Sequence, residues 1–181
     1  MKITPQQKRK YLRRGLLGLL VLFTAMAQNV LWLPVIYGAR ALPLLPLVVA
    51  IAIYDQPVPA IIYGALAGAA WDVSSASGGY HAIYLAIAAF ACAMGMRYFL
   101  NKNFFTVLLL AFAVVSIYLI VHWFTVFAVL PNLTPAQITL PLLREALPSL
   151  GYTMLLAPLC FTLVSIAVRR TSRRQRRVKA E

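Results

Sequence analysis

A chain of 181 residues that is 62% hydrophobic and 12% charged cannot cover itself with a water-soluble surface, since ordinary globular chains carry about 25% charged residues. Its net charge of +13 points away from nucleic acid once the cations are placed, because six of the 17 (Lys2, Lys8, Arg9, Lys10, Arg13 and Arg14) precede the first apolar run and seven (Arg169, Arg170, Arg173, Arg174, Arg176, Arg177 and Lys179) follow the last. Basic flanks of this kind orient membrane spans and meet anionic headgroups, so the expectation is an all-α membrane protein with about six transmembrane helices.

The chain divides into a basic tail at 1–14, one helical transmembrane domain at 15–168 and a second basic tail at 169–181. Six apolar runs fill the domain, at 15–33, 41–54, 57–74, 80–96, 104–130 and 145–168. The first resembles a signal peptide, with Thr24-Ala25-Met26-Ala27 in the place of a cleavage site. It continues through Leu33, however, which favours a retained span. The second run is shorter than the roughly 20 residues that cross a bilayer, and Pro43 and Pro46 predict a tilted or irregular entry. A tight turn, Asp55-Gln56-Pro57-Val58-Pro59, leads into the third. The fifth is long enough to tilt or project. Between the fifth and sixth, Thr134, Pro135 and Gln137 form a capping-box helix start, and Pro141 predicts that this interfacial helix ends within a turn or two.

Charge supports the count of six. With both tails in the cytoplasm, fifteen basic residues lie inside and two, Arg40 and Arg144, lie outside. Five spans would strand the second basic tail on the outer side.

The third run carries the chain's most informative pattern. Gly64, Gly68 and Asp72 recur every four residues and share one helix face, where glycines let a neighbouring helix approach closely. Asp72, one of four acidic residues, lies about 22 Å up that helix from Pro57 at 1.5 Å per residue. An ionisable group at that depth needs a partner. It either lines a polar cavity or meets a partner chain, or it caps the following turn by accepting bonds from backbone N–H groups and Ser75; the two roles are compatible. Gln28, Asn29 and His122 fall at similar depth, and with Asp72 and Ser75 they are expected to form one hydrogen-bonded cluster. His122 also reads as an interfacial residue beside Trp123 in an aromatic belt. Gly78, Gly79, Tyr80 and Tyr84, in the turn and helix that follow Asp72, are further candidates for packing and partner contact.

Catalytic readings fare poorly. Ser77-Gly78 has Ser75 where an intramembrane serine protease would have glycine, and Asp55 is expected at the opposite end of the helix from Asp72. No Gly-rich phosphate loop is present. His81 and His122 alone make a poor zinc site, and Cys92 and Cys160 read as buried apolar residues. No catalytic residue, metal or cofactor is expected.

From Pro46 to Arg97 the chain resembles the rod shape-determining MreD family of bacterial inner-membrane proteins. The resemblance rests on Pro46-Leu47-Val48-Val49 and its tight turn, the small-residue helix Tyr63-Gly64-Ala65-Leu66-Ala67-Gly68 with Asp72, a Ser/Gly turn, and the helix opening Tyr80-His81-Ala82. Family members often carry a Pro-Leu-Gly-like turn after the acid, where this chain has Ala76-Ser77-Gly78-Gly79. The resemblance implies a six-helix fold similar to the substrate-binding components of energy-coupling-factor transporters. It also implies a noncatalytic role in cell elongation: direct binding of MreC, within a wider complex of MreB, RodA and a class B penicillin-binding protein. A small-molecule binding subunit of a vitamin-type transporter is the alternative on the same fold.

Overall fold

The computed structural model describes residues 5–29, 40–75, 79–100, 103–129 and 135–177. They form six α-helices: α1 (Pro5–Asn29), α2 (Leu44–Tyr54), α3 (Pro57–Ser75), α4 (Tyr80–Tyr98), α5 (Phe104–Val129) and α6 (Pro135–Arg177). Among the described residues there is no strand.

At the centre lies α2, whose residues from Leu44 to Ile53 are all buried. It touches each of the other five helices. A helix that is apolar all round belongs inside, and this one is enclosed by its own chain. The expected irregular entry is therefore corrected. Pro43 stands at the N-cap position and Pro46 in the first turn, where N–H groups have no intrahelical acceptor and a proline costs little. Eleven residues rise only about 16 Å, so α2 is a core element shorter than a bilayer is thick.

Around it the helices alternate in direction. Gln28 at the end of α1 accepts a bond from the Leu44 N–H at 3.2 Å. At the opposite end, Arg13 donates to the Tyr54 carbonyl at 2.9 Å and lies 3.8 Å from the Asp55 carboxylate. The Tyr63 hydroxyl donates to the Arg14 carbonyl at 3.1 Å, and Arg97 lines a small pocket with Asp55. This basic end also receives Arg169 of α6, close enough to Tyr54 to act on it electrostatically. α1 begins inside the expected first tail and α6 continues to Arg177, so both basic segments are helical where they are described.

The short interfacial helix expected to stop at Pro141 does not stand apart. α6 runs unbroken for 43 residues through Pro141, Pro148 and Pro158. Each proline removes one backbone bond, but in an apolar surrounding a broken helix would leave many more groups unpaired. Thr134 and Leu33 lie outside the described residues.

Three helical segments, Tyr80–Tyr98, Phe104–Thr125 and Leu143–Arg169, are long and apolar enough to cross a membrane. The exterior agrees: Leu19, Leu22, Phe23, Ile62, Ile83, Ile87, Leu109, Ile120, Leu155 and Leu159 are all exposed. Soluble monomers rarely show continuous apolar patches beyond a few hundred Å². Lipid is the medium that suits such an exterior.

Candidate functional site

The site starts from the way α3 and α4 meet. A Cβ on Gly64 would fall on the Leu85 carbonyl, and one on Gly68 would fall on the Ala82 backbone and the His81 carbonyl. The two helices are in backbone contact along that face. Their antiparallel register carries Asp72, near the end of α3, to the start of α4.

There the carboxylate does what a capping residue normally does. Gly79 occupies the N-cap position of α4 with φ 92° and has no side chain to offer. Ordinarily a Ser, Thr, Asp or Asn at that position accepts from the second or third N–H of the helix. Asp72 supplies those acceptors from the neighbouring helix: Oδ1 takes the His81 N–H at 3.3 Å and Oδ2 takes the Ala82 N–H at 2.9 Å. The positive end of the α4 dipole adds to the attraction.

The same carboxylate holds the His81 ring, with Nδ1 2.7 Å from Oδ1. An ionised carboxylate only accepts, so Nδ1 carries the proton. The far ring nitrogen, Nε2, lies 3.1 Å from the Tyr118 hydroxyl of α5. Trp71 stacks on the His81 ring at 4.3 Å between centroids, and Tyr80 lies against it at 3.9 Å. The Tyr80 hydroxyl in turn reaches His122 Nδ1 at 3.1 Å. One polar network thus joins α3, α4 and α5 in an otherwise apolar bundle.

The network forms one wall of a cavity of about 570 Å³. Trp71, Ser75, Tyr80, His81, Tyr118 and His122 line it on that side, and Arg40, Glu145 and Ser149 line it elsewhere. Its size is that of a small-molecule site.

The expected polar cluster is corrected in its membership. Asp72, Ser75 and His122 lie at this cavity or in its wall, but Asp72 and His122 are linked through the His81, Tyr118 and Tyr80 rings. Gln28 is committed to the first turn of α2, whose unpaired N–H groups lie closer to hand. Asn29 is exposed at the end of α1. The Ser75 hydroxyl donates to the Trp71 carbonyl at 2.9 Å, within its own helix. Tyr84 donates to the Val114 carbonyl and braces α4 against α5 away from the cavity. Gly78 lies outside the described residues. Tyr118 is a functional candidate that the sequence did not single out, and His81, weighed there only as a poor zinc ligand, stands outside the expected cluster. The signal in the sequence is the four-residue spacing of Gly64, Gly68 and Asp72 ahead of a short turn: a helix packed antiparallel on that face brings its own start to residue 72.

Comparison with protein-family models, with curated proteins and with solved structures finds no match in any of the three. His81 is held on one side by a carboxylate and on the other by a phenol, so both ring nitrogens are committed within the protein and the ring is a fixed part of the cavity wall.

Proposed function

We propose that this chain is a noncatalytic scaffold of a bacterial cytoplasmic membrane, crossing it six times with both basic termini in the cytoplasm. In this reading it serves cell elongation, as the MreD resemblance implies, on a fold similar to the substrate-binding components of energy-coupling-factor transporters. It binds MreC and supports peptidoglycan synthesis in an assembly that includes MreB, RodA and a class B penicillin-binding protein. The basic termini meet anionic lipids.

One observation carries the proposal. The residues that bear the resemblance form α2, α3 and α4, and the latched α3–α4 pair presents Val58, Ile62, Leu66 and Val73 as an exposed apolar stripe on α3. Residues four and seven apart lie on one helix face, so a single apolar span can pack along it by van der Waals contact. The experiment is co-purification from mild detergent, paired with depletion in the source bacterium and scoring of cell shape. Recovery of MreC that falls when Ile62 and Leu66 are replaced by tryptophan, together with rounded cells on depletion, is the expected result. Unchanged morphology and an eluate without MreC would sink the scaffold reading.

A second reading, a small-molecule binding membrane subunit of a vitamin-type transporter, is favoured by the cavity alone. Tight binding of a small metabolite to the purified chain, with no MreC retained, would select it.

A further inference from the structure

The polar cavity has an apolar neighbour. A groove of about 290 Å³ runs between α5 and α6, and its lining includes Ile120, Trp123, Leu143 and Leu147. Leu119 and Ala146 line both spaces. On one side of this shared wall the surface mixes polar and apolar groups and bears both signs of charge; on the other it is almost wholly hydrocarbon.

The charges on the polar side are not spent on each other. Arg40 and Glu145 both line the cavity, and both are exposed. Glu145 lies close enough to His122 to act on it electrostatically, yet neither Arg40 nor Glu145 is held in an ion pair among the described residues, and an occupant that carries both signs complements them. A guanidinium is suited to a phosphate through parallel N–H donors. A carboxylate accepts from a primary ammonium, and the Ser75, Ser149 and Tyr80 hydroxyls offer further partners. The groove beyond the shared wall calls for an apolar chain attached to that headgroup.

We propose that the cavity and groove together form a binding site for a phospholipid with a zwitterionic, primary-amine headgroup. The phosphate lies toward Arg40, the ammonium toward Glu145, and one acyl chain lies in the groove between α5 and α6. The wall that carries His81 and Tyr118 lies beside the headgroup, and the network anchored on Asp72 holds that wall in shape. This inference does not rest on the scaffold reading, because lipid retention by the purified chain needs no protein partner.

The test uses the full chain in nanodiscs of equimolar phosphatidylethanolamine and phosphatidylglycerol, with retained lipid measured by native mass spectrometry after release into mild detergent. Phosphatidylethanolamine is expected to be retained at least tenfold over phosphatidylglycerol. Glu145→Gln, at an exposed position, should bring that ratio close to one. Leu147→Ser, also exposed, should lower retention of phosphatidylethanolamine several-fold, and Ala146→Phe should do the same by filling the shared wall. Soluble glycerophosphoethanolamine in hundredfold excess should leave the bound lipid in place. Equal retention of the two lipids by the unaltered chain, or a ratio unmoved by Glu145→Gln, would overturn the proposal. Displacement by glycerophosphoethanolamine would overturn it too, assigning the cavity to a water-soluble ligand.

Discussion

Asp72 and His81 are bonded twice, once through the His81 backbone N–H at 3.3 Å and once through its ring Nδ1 at 2.7 Å. The carboxylate is thus both the cap of a helix that lacks its own and the orienting partner of a buried imidazole. Removing it strands several groups at once. Each buried polar group left unsatisfied costs about 1–3 kcal/mol. Asp72→Ala is therefore expected to destabilise the protein by several kcal/mol, and Asp72→Asn by less, since the amide keeps one acceptor. Unfolding in detergent, followed by circular dichroism, ranks the two.

A double-mutant cycle separates this pair from the wider network. Groups in direct contact couple by about 0.5–3 kcal/mol, whereas distant ones add. Asp72→Asn with His81→Gln should show coupling within that range. Asp72→Asn with His122→Gln should lie closer to additive, because the His81, Tyr118 and Tyr80 rings stand between those residues. Equal coupling in the two cycles would return His122 to direct partnership with the carboxylate.

Six glycines divide into three classes. At Gly64 and Gly68 a Cβ meets the backbone of α4, which cannot rotate away, so alanine there must separate the helices. Overpacking of this sort costs about 1–3 kcal/mol, occasionally more, and here it also moves Asp72 off the α4 cap. Gly15, Gly18 and Gly151 have open space at the Cβ position, and alanine in their place should be neutral or stabilise by up to about 1 kcal/mol. Gly79 is a third case: its space is open but its φ is 92°, a backbone region that costs an L-residue about 1–2 kcal/mol. Thermal unfolding of the six alanine variants should sort into those groups.

Much of the helical fold is legible in the apolar runs, because hydrocarbon contact and backbone hydrogen bonding impose the same pattern on every segment. The ends of α3, α4 and α5 fall within two residues of the runs drawn for them. Position in the bundle is less legible. Nothing in the composition of α2 separates a helix buried in protein from one buried in lipid, and its enclosure emerges only when the other five pack around it. Pro141 misleads because proline's local cost is plain from sequence, while the larger cost of breaking a helix in an apolar surrounding depends on what lies around it. Asp72 shows the limit most clearly. Its need for a partner follows from one residue, but the identity of that partner follows from the register of two helices. The glycine that leaves α4 uncapped looks like an ordinary turn residue.

Core and exposed leucines should behave differently, and α2 and α6 offer the comparison. Leu47 is fully buried, whereas Leu155 on α6 is 74% exposed. Leu47→Ala opens a cavity among helices on all sides and should cost about 2–5 kcal/mol, the range for buried leucine truncation. Leu155→Ala exchanges one apolar surface for another facing detergent or lipid, so its effect should stay within the roughly 0.5 kcal/mol typical of surface positions. Comparable losses at both sites would mean that the exposed face of α6 is covered by protein.

The two cysteines provide a readout of the same core without added labels. Cys92 on α4 and Cys160 on α6 are free and buried, at 3% and 4% exposure, and the Cys160 thiol lies 3.7 Å from the Pro43 carbonyl at the entry to α2. A maleimide reacts with an accessible thiolate, and a buried structural thiol is inert. In the native protein both thiols should stay unlabelled over hours, and both should label on denaturation. Local opening exposes buried groups in proportion to the population of the open state. Leu47→Ala should therefore accelerate labelling of Cys160, whose neighbour at Pro43 belongs to the same helix entry. Gly68→Ala should accelerate Cys92 in preference, since it separates α3 from α4 while leaving the α2–α6 contact in place. Tandem mass spectrometry of the labelled peptides reads the two sites separately. Labelling of both cysteines at one common rate in every variant would mean that the bundle opens as a single cooperative unit, with no independent motion at the α3–α4 latch.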